Sequence, residues 1–226
     1  MVAQHTVKAF DEDIISLRGL ISEMGGLAEL AISEAMEALV KGSPTQAAAV
    51  VARDRRIDAL EQEVDRTTVR ILALRAPLAD DLREVIAALK IAGMLERVGD
   101  YAKNIAKRAD SIDGREAFEP LTLIPAMAEI AGEMVRDVLT AYAARDPALA
   151  VEIVDRDARV DAFYESIFRN LVSHMVENPK TIGSAAQLLF VARNLERIGD
   201  QATNIAEMVY YSATAEYLHE RAERPN

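Results

Sequence analysis

Glu96, Asp100 and Asn104 follow one another at four-residue spacing, and Glu196, Asp200 and Asn204 repeat the set one hundred positions later. At about 100° per residue, a helix places each trio on a single face. The surrounding segments, Leu95 to Ala106 and Leu195 to Ala206, share nine of twelve residues. A duplicated core needs only its apolar positions repeated. The repeated Glu, Arg, Gly, Asp and Asn therefore point to one surface chemistry built twice. A second acidic stripe, Asp54, Asp58, Glu61 and Asp65, flanks the apolar row Ile57, Leu60, Val64 and Ile71. Its later counterpart keeps Asp157 and Asp161 but has Tyr164 for Glu61 and Phe168 for Asp65.

Like charges four apart on a helix repel by about 0.2–0.5 kcal/mol per pair, so such a stack calls for something cationic above it. A hard multivalent cation would serve, because magnesium, calcium, manganese and iron prefer oxygen ligands. One Asp-x-x-x-Asp facing one Glu-x-x-x-Asp supplies four carboxylates, enough for one metal or a small cluster. The first candidate set is Asp54 and Asp58 with Glu96 and Asp100, and the second is Asp157 and Asp161 with Glu196 and Asp200. Glu61, Asn104 and Asn204 are further candidate ligands, and Gly99 removes a side chain where helices or ligands come close. The competing reading is an ordinary solvated face, neutralised by Arg53, Arg55, Arg97 and Arg197 and repeated by descent. Spacing alone leaves both open.

Other chemistries find little support. His5, His174 and His219 are isolated and none forms the Glu-x-x-His of di-iron helical bundles, which argues against oxidase chemistry. His174 reads as a surface or partly packed residue. Neither a Gly-rich phosphate loop nor a Gly-x-Ser-x-Gly nucleophile elbow occurs. A net charge of −11 and a pI near 4.9 argue against nucleic acid as a partner. The absence of cysteine excludes disulfides and thiolate metal sites. The start of the chain lacks a basic-then-apolar signal pattern, and no apolar run approaches the roughly 18 residues of a membrane span. The chain is expected to be soluble and cytoplasmic.

The elements that must position these residues are helices. Half of the chain is hydrophobic, aromatics make up 5%, and apolar spacing is helical nearly throughout. Breakers divide it into six pieces. Gly42-Ser43-Pro44 ends a first helix starting near Thr6, and Ala76-Pro77 ends a second. A third fades near Asp113-Gly114, and a fourth opens around Pro120 and Pro125 and stops before Pro147. The fifth reaches Asn178-Pro179, and the sixth runs from Thr181 to about Thr214, leaving a frayed tail. Short connections make neighbouring helices antiparallel. The expected fold is all-α: two tandem three-helix bundles related by duplication, covering residues 1–114 and 115–226, with a hinge at 114–120.

These segments together resemble the PhoU family of bacterial phosphate-uptake regulators across essentially the whole chain. The resemblance rests on Asp54-x-x-Ile57-Asp58-x-x-Glu61, Pro77-Leu78-Ala79-Asp80-Asp81-Leu82-Arg83 and Leu95-Glu96-Arg97-Val98-Gly99-Asp100. In the second half it rests on Asp157-x-x-Val160-Asp161 and the run from Ala192 to Ala206. The resemblance implies metal on the acid-x-x-x-Asp motifs named above, with iron or zinc as what family members look able to hold. Ligation by oxygen alone leans towards iron, with manganese or magnesium as alternatives. It also implies regulation instead of catalysis. Such a protein would link a phosphate ABC transporter, through its ATPase subunit, to a sensor histidine kinase and restrain both uptake and the starvation response. A homodimer is expected, with membranes reached only through partners. Two other functions compete: a metal-free helical scaffold, and a phosphohydrolase using the same carboxylates for two-metal chemistry.

Overall fold

The structure, a computed structural model, describes residues 2–109, 111–112 and 122–218, with side chains from residue 9 onward. Six helices follow one another: α1 (Val2–Lys41), α2 (Pro44–Arg75), α3 (Ala79–Ala106), α4 (Leu123–Ala144), α5 (Pro147–Glu177) and α6 (Ile182–Thr214). A single 3-10 turn, Pro179–Thr181, leads into α6. Among the described residues there is no strand. The fold is the expected pair of three-helix bundles.

Local chemistry explains where the helices start. Ser43 caps α2, its hydroxyl accepting from the Gln46 N–H at 3.3 Å, and Pro44 occupies the first turn. The equivalent corner of the second bundle uses Asp146, whose carboxylate accepts from the Ala148 and Leu149 N–H groups, followed by Pro147. Pro125 sits in the first turn of α4, where its missing N–H would have had no intrahelical partner.

Two boundaries differ from expectation: α1 begins at Val2, a turn before Thr6, and α3 ends early. The α3 helix stops at Ala106, short of Asp113, and tightens into turns in which the Arg108 and Ala109 N–H groups reach back to the Ile105 and Ala106 carbonyls. The expected hinge at 114–120, the boundary after Gly114, Pro120 and most of the expected frayed tail lie outside the described residues. So do His219 and the side chain of His5.

Within the first bundle α1, α2 and α3 pack on one another, and α4, α5 and α6 do the same in the second. The halves are joined by α3 against α6 and α1 against α4. One continuous apolar core results, running from Leu17, Ile21 and Met24 through Ile57, Leu60 and Leu95 to Ile167, Leu195 and Ile205. Buried alanines on α3 and α6, such as Ala88, Ala92, Ala192 and Ala202, let the two inner helices approach closely. The outer helices α2 and α5 carry the Asp-x-x-x-Asp stripes and lie against the inner helices that carry Glu-x-x-x-Asp. No helix among the described residues is long and apolar enough to cross a membrane.

Candidate functional site

The apolar rows pin the register of each outer helix on its inner neighbour. Ile57, Leu60 and Val64 are fully buried on α2, and Leu95 and Val98 are fully buried on α3. The acids beside those rows are thereby brought together at the α2–α3 seam. Asp54 enters deepest and is 6% exposed. Gly99 makes this possible, since a Cβ there would meet Ile57 Cδ1 at 2.8 Å and Asp54 Oδ1 at 3.3 Å. Asp58, Glu61, Glu96 and Asp100 surround the entrance. Glu61 reaches across to Gly93, its Oε1 lying 3.5 Å from where a Cβ would stand.

The pKa values register this crowding. Burial raises Asp58, Glu61 and Glu96 above their ordinary values, and neighbouring carboxylates push the same way. Glu96 is raised also by the charges of Asp100, Glu61, Asp58 and Asp54, which lie along the same seam. Asn104 is half-buried one turn beyond Asp100, and Asp65 is exposed at the far end of the stripe.

The cation over the first cluster is Lys103. Its ammonium donates to Asp54 Oδ2 on α2 and to Asp100 Oδ1 on α3, bridging the two helices. Burial pulls this ammonium down, yet the hydrogen bonds to Asp100 and Asp54 outweigh it and hold its pKa above the ordinary lysine value. Of the arginines that the competing reading offered as neutralising charges, Arg197 eases Glu196 and Asp200 in the second cluster. Arg53 pairs with Glu34 on α1, and Arg197 stacks over Tyr101 at 5.7 Å.

The second cluster repeats the geometry with different neighbours. Asp157 Oδ1 would lie 3.3 Å from a Cβ at Gly199, as Asp54 does at Gly99. Burial raises Asp157, Glu196 and Asp200, and Asp161 or Asp200 adds repulsion in each case. Asn204, like Asn104, is half-buried. Where Lys103 stands in the first bundle, the second has Thr203. The Thr203 hydroxyl lies near enough to Asp157 to offset part of its rise without completing a well-formed hydrogen bond. The cation in contact here is Arg193, which binds Glu196 Oε1 on its own helix and lies over the Tyr164 ring at 5.7 Å, while the Arg197 charge also eases Glu196 and Asp200. Tyr164 and Phe168, 6.4 Å apart, form an aromatic edge where the first bundle has acids.

Among the described residues, three buried carboxylate oxygens, Asp54 Oδ1, Asp157 Oδ1 and Glu196 Oε2, have no hydrogen-bond partner. Buried acceptors of this kind are expected to be satisfied. Oxygen-only donors, raised pKa values and orphaned acceptors together fit an oxygen-preferring metal ion. Among the described residues no three of these side chains converge into a ready-made cage, so holding an ion would require side chains to turn. A groove of about 700 Å³ lies elsewhere, between α1 and α4, lined by Leu30, Met36, Ala128 and Glu133 among others.

Comparison with known proteins places this architecture. The PhoU domain matches residues 21–109 and again residues 124–209. The chain is 54% identical to the phosphate-specific transport system accessory protein PhoU homolog of Zymomonas mobilis, over 96% of this chain and 92% of that protein. It is 43% identical to the protein of the same name from Caulobacter vibrioides, covering 99% and 97% of the two chains. The crystal structure of PhoU from Pseudomonas aeruginosa superposes with a TM-score of 0.87 at 34% identity, over 92% of this chain and all of that one. The two halves of the chain are two PhoU domains, and the chain belongs to the PhoU family.

Proposed function

We propose that the protein is a negative regulator of phosphate uptake and of phosphate-starvation signalling. It acts as a metal-binding adaptor between a phosphate ABC transporter, docking through its ATPase subunit, and a sensor histidine kinase. The observation that carries the reading is the chain-long match to accessory proteins of the phosphate-specific transport system. The fold supports it, since two similar bundles side by side offer two related docking faces on one rigid core.

Asp54, Asp58, Glu96 and Asp100 would hold metal on the first bundle, and Asp157, Asp161, Glu196 and Asp200 on the second. Iron is favoured among oxygen-preferring ions, with manganese, magnesium or zinc as alternatives. A bound ion supplies positive charge that offsets carboxylate repulsion and links the outer helix to the inner one. The residues themselves set the surface: Gly99 and Gly199 hold the helix pairs close, and the apolar rows beneath fix the register. The protein works by docking, not catalysis. The clusters stand on helix faces, and the large groove between α1 and α4 belongs to neither of them.

Two measurements test this. Deleting the gene should switch on starvation genes in high phosphate, and the tagless protein should co-purify with the transporter ATPase and the kinase. Recovery of neither partner, with normal repression in the deletion strain, overturns the regulatory reading. For the metal, Asp100→Asn with Asp200→Asn should abolish bound metal in elemental analysis, and unchanged stoichiometry would sink that part.

A further inference from the structure

The two clusters are copies in sequence but not in electrostatics. Beside Gly93 against Arg193 and the acids Glu61 and Asp65 against Tyr164 and Phe168, one difference lies in direct contact with both helices of the seam: Lys103 in α3 against Thr203 in α6. Lys103 is covered (its side chain is 20% exposed) and touches one carboxylate from each helix of the seam. A bridging metal ion would need those same two carboxylates, Asp54 and Asp100. The ammonium therefore stands where a cation joining α2 to α3 would stand. Asp54 is more than nine-tenths buried, and its second oxygen lies against Gly99 without a hydrogen-bond partner among the described residues.

The second cluster has no such bridge. Arg193 binds one oxygen of Glu196, on its own helix and from the more exposed rim, with 46% of its side chain accessible. The other Glu196 oxygen and Asp157 Oδ1 stay without partners. Both the outer- and the inner-helix acids of the second cluster thus keep a buried acceptor without a partner among the described residues. Glu61 and Asp65 do give the first cluster more negative charge. They act from one and two turns further along α2, whereas Lys103 is in direct contact with two of the four ligands. Contact outweighs distance where solvent screens the longer pairs.

We infer that Lys103 is a built-in counter-ion that weakens the first cluster for multivalent cations, so that the second cluster, with Thr203 in its place, loads first. The two PhoU domains then respond to different cation concentrations, one as a standing site and the other as a site that must displace its own lysine. This rests on the metal-binding reading proposed above. It assigns to Lys103 and Thr203 the control of which domain is loaded.

The test uses the full chain, purified without an affinity tag, stripped with a chelator and titrated with Mn2+. Free Mn2+ is followed by its electron paramagnetic resonance signal. Two classes of binding are expected, with Asp161→Asn removing the tighter and Asp58→Asn the weaker. Lys103→Thr should tighten the weaker class by about tenfold, and Thr203→Lys should weaken the tighter class by a similar factor. Lys103→Thr leaves Asp54 buried without its partner and is open to loss of fold. Thr203→Lys leaves the first bundle untouched and tests the same idea from the other side. Two classes that neither substitution shifts, or a tighter class removed by Asp58→Asn, overturn this inference and leave the metal reading standing. No Mn2+ bound by any form overturns both.

Discussion

Arg145, the residue that ends α4, places its Nη1 3.1 Å from Glu84 Oε2 on α3 of the other bundle. Arg18 on α1 donates its Nε to the other oxygen of Glu84 at 2.6 Å. Glu84 is buried, so one carboxylate between two guanidiniums ties α1, α3 and the α4–α5 corner across the seam. Removing it would leave two positive groups facing each other. Charged hydrogen bonds contribute roughly 1.5–3 kcal/mol each, but both arginines are more than a third exposed, which calls for a discount. Glu84→Ala is expected to cost about 2 kcal/mol in urea unfolding, and Glu84→Gln about half as much. A Glu84→Ala midpoint equal to that of the parent would show that apolar packing alone holds the bundles together.

The two glycines that let the acids tuck in are unequal. Alanine at Gly99 would meet Ile57 Cδ1 at 2.8 Å, closer than real contacts allow, whereas at Gly199 the nearest atoms stand at 3.3 Å. Replacing glycine by alanine inside a helix gains about 1 kcal/mol in propensity, and overpacking costs about 1–3 kcal/mol. Gly99→Ala should therefore be destabilising and Gly199→Ala close to neutral. Thermal unfolding of the two variants decides it, and a Gly199→Ala loss larger than that of Gly99→Ala would refute the packing argument.

Much of this was legible in the sequence, for identifiable reasons. Pro44, Pro77, Pro147 and Pro179 mark helix boundaries because proline acts locally, and the structure places breaks at each of them. The repeated polar register picked out the acids that meet at each seam. The contact made by Lys103 went unread because Arg55 and Arg97 adjoin acids in sequence. Neighbours in sequence point about 100° apart on a helix, while Lys103, three residues after Asp100, shares its face. That spacing was readable, and so was its loss at Thr203. The pairing of α3 with α6 and of α1 with α4 was not, since it depends on how two similar apolar surfaces choose partners in space.

Several helix ends adopt left-handed backbone with residues other than glycine. Ala215, at the end of α6, has φ 62° and ψ 14°. A side chain there costs roughly 1–2 kcal/mol, and glycine loses about 0.4–1 kcal/mol through the freer unfolded chain. Ala215→Gly should thus raise stability by about 0.5–1 kcal/mol. Arg145, with φ 51°, has the same backbone but also holds Glu84, so Arg145→Gly should be destabilising overall yet better tolerated than Arg145→Ala. Chemical denaturation of the three variants checks the order, and a less stable Ala215→Gly would contradict it.

The clusters also make a prediction about pH for the metal-free protein. Burial first, and neighbouring carboxylates second, raise Asp58, Glu61 and Glu96 in one cluster. In the other they raise Asp157, Glu196 and Asp200, with Thr203 easing Asp157 and the Arg193 and Arg197 charges easing Glu196 and Asp200. A carboxylate whose pKa is raised on folding binds its proton more tightly in the folded state than in the unfolded one. Its stabilising contribution is complete below the ordinary range near pH 4 and is lost as pH rises through the raised values. Chelator-treated protein should therefore unfold at a higher temperature as pH is lowered from neutral towards the ordinary carboxylate range. This is the reverse of the behaviour of carboxylates held low by ion pairs. Mn2+ at pH 7 should raise the midpoint and flatten the dependence, because a bound cation relieves the same repulsion that protons relieve. A midpoint that falls steadily over that descent in the stripped protein would mean that the acids are not crowded in solution as they are in the structure.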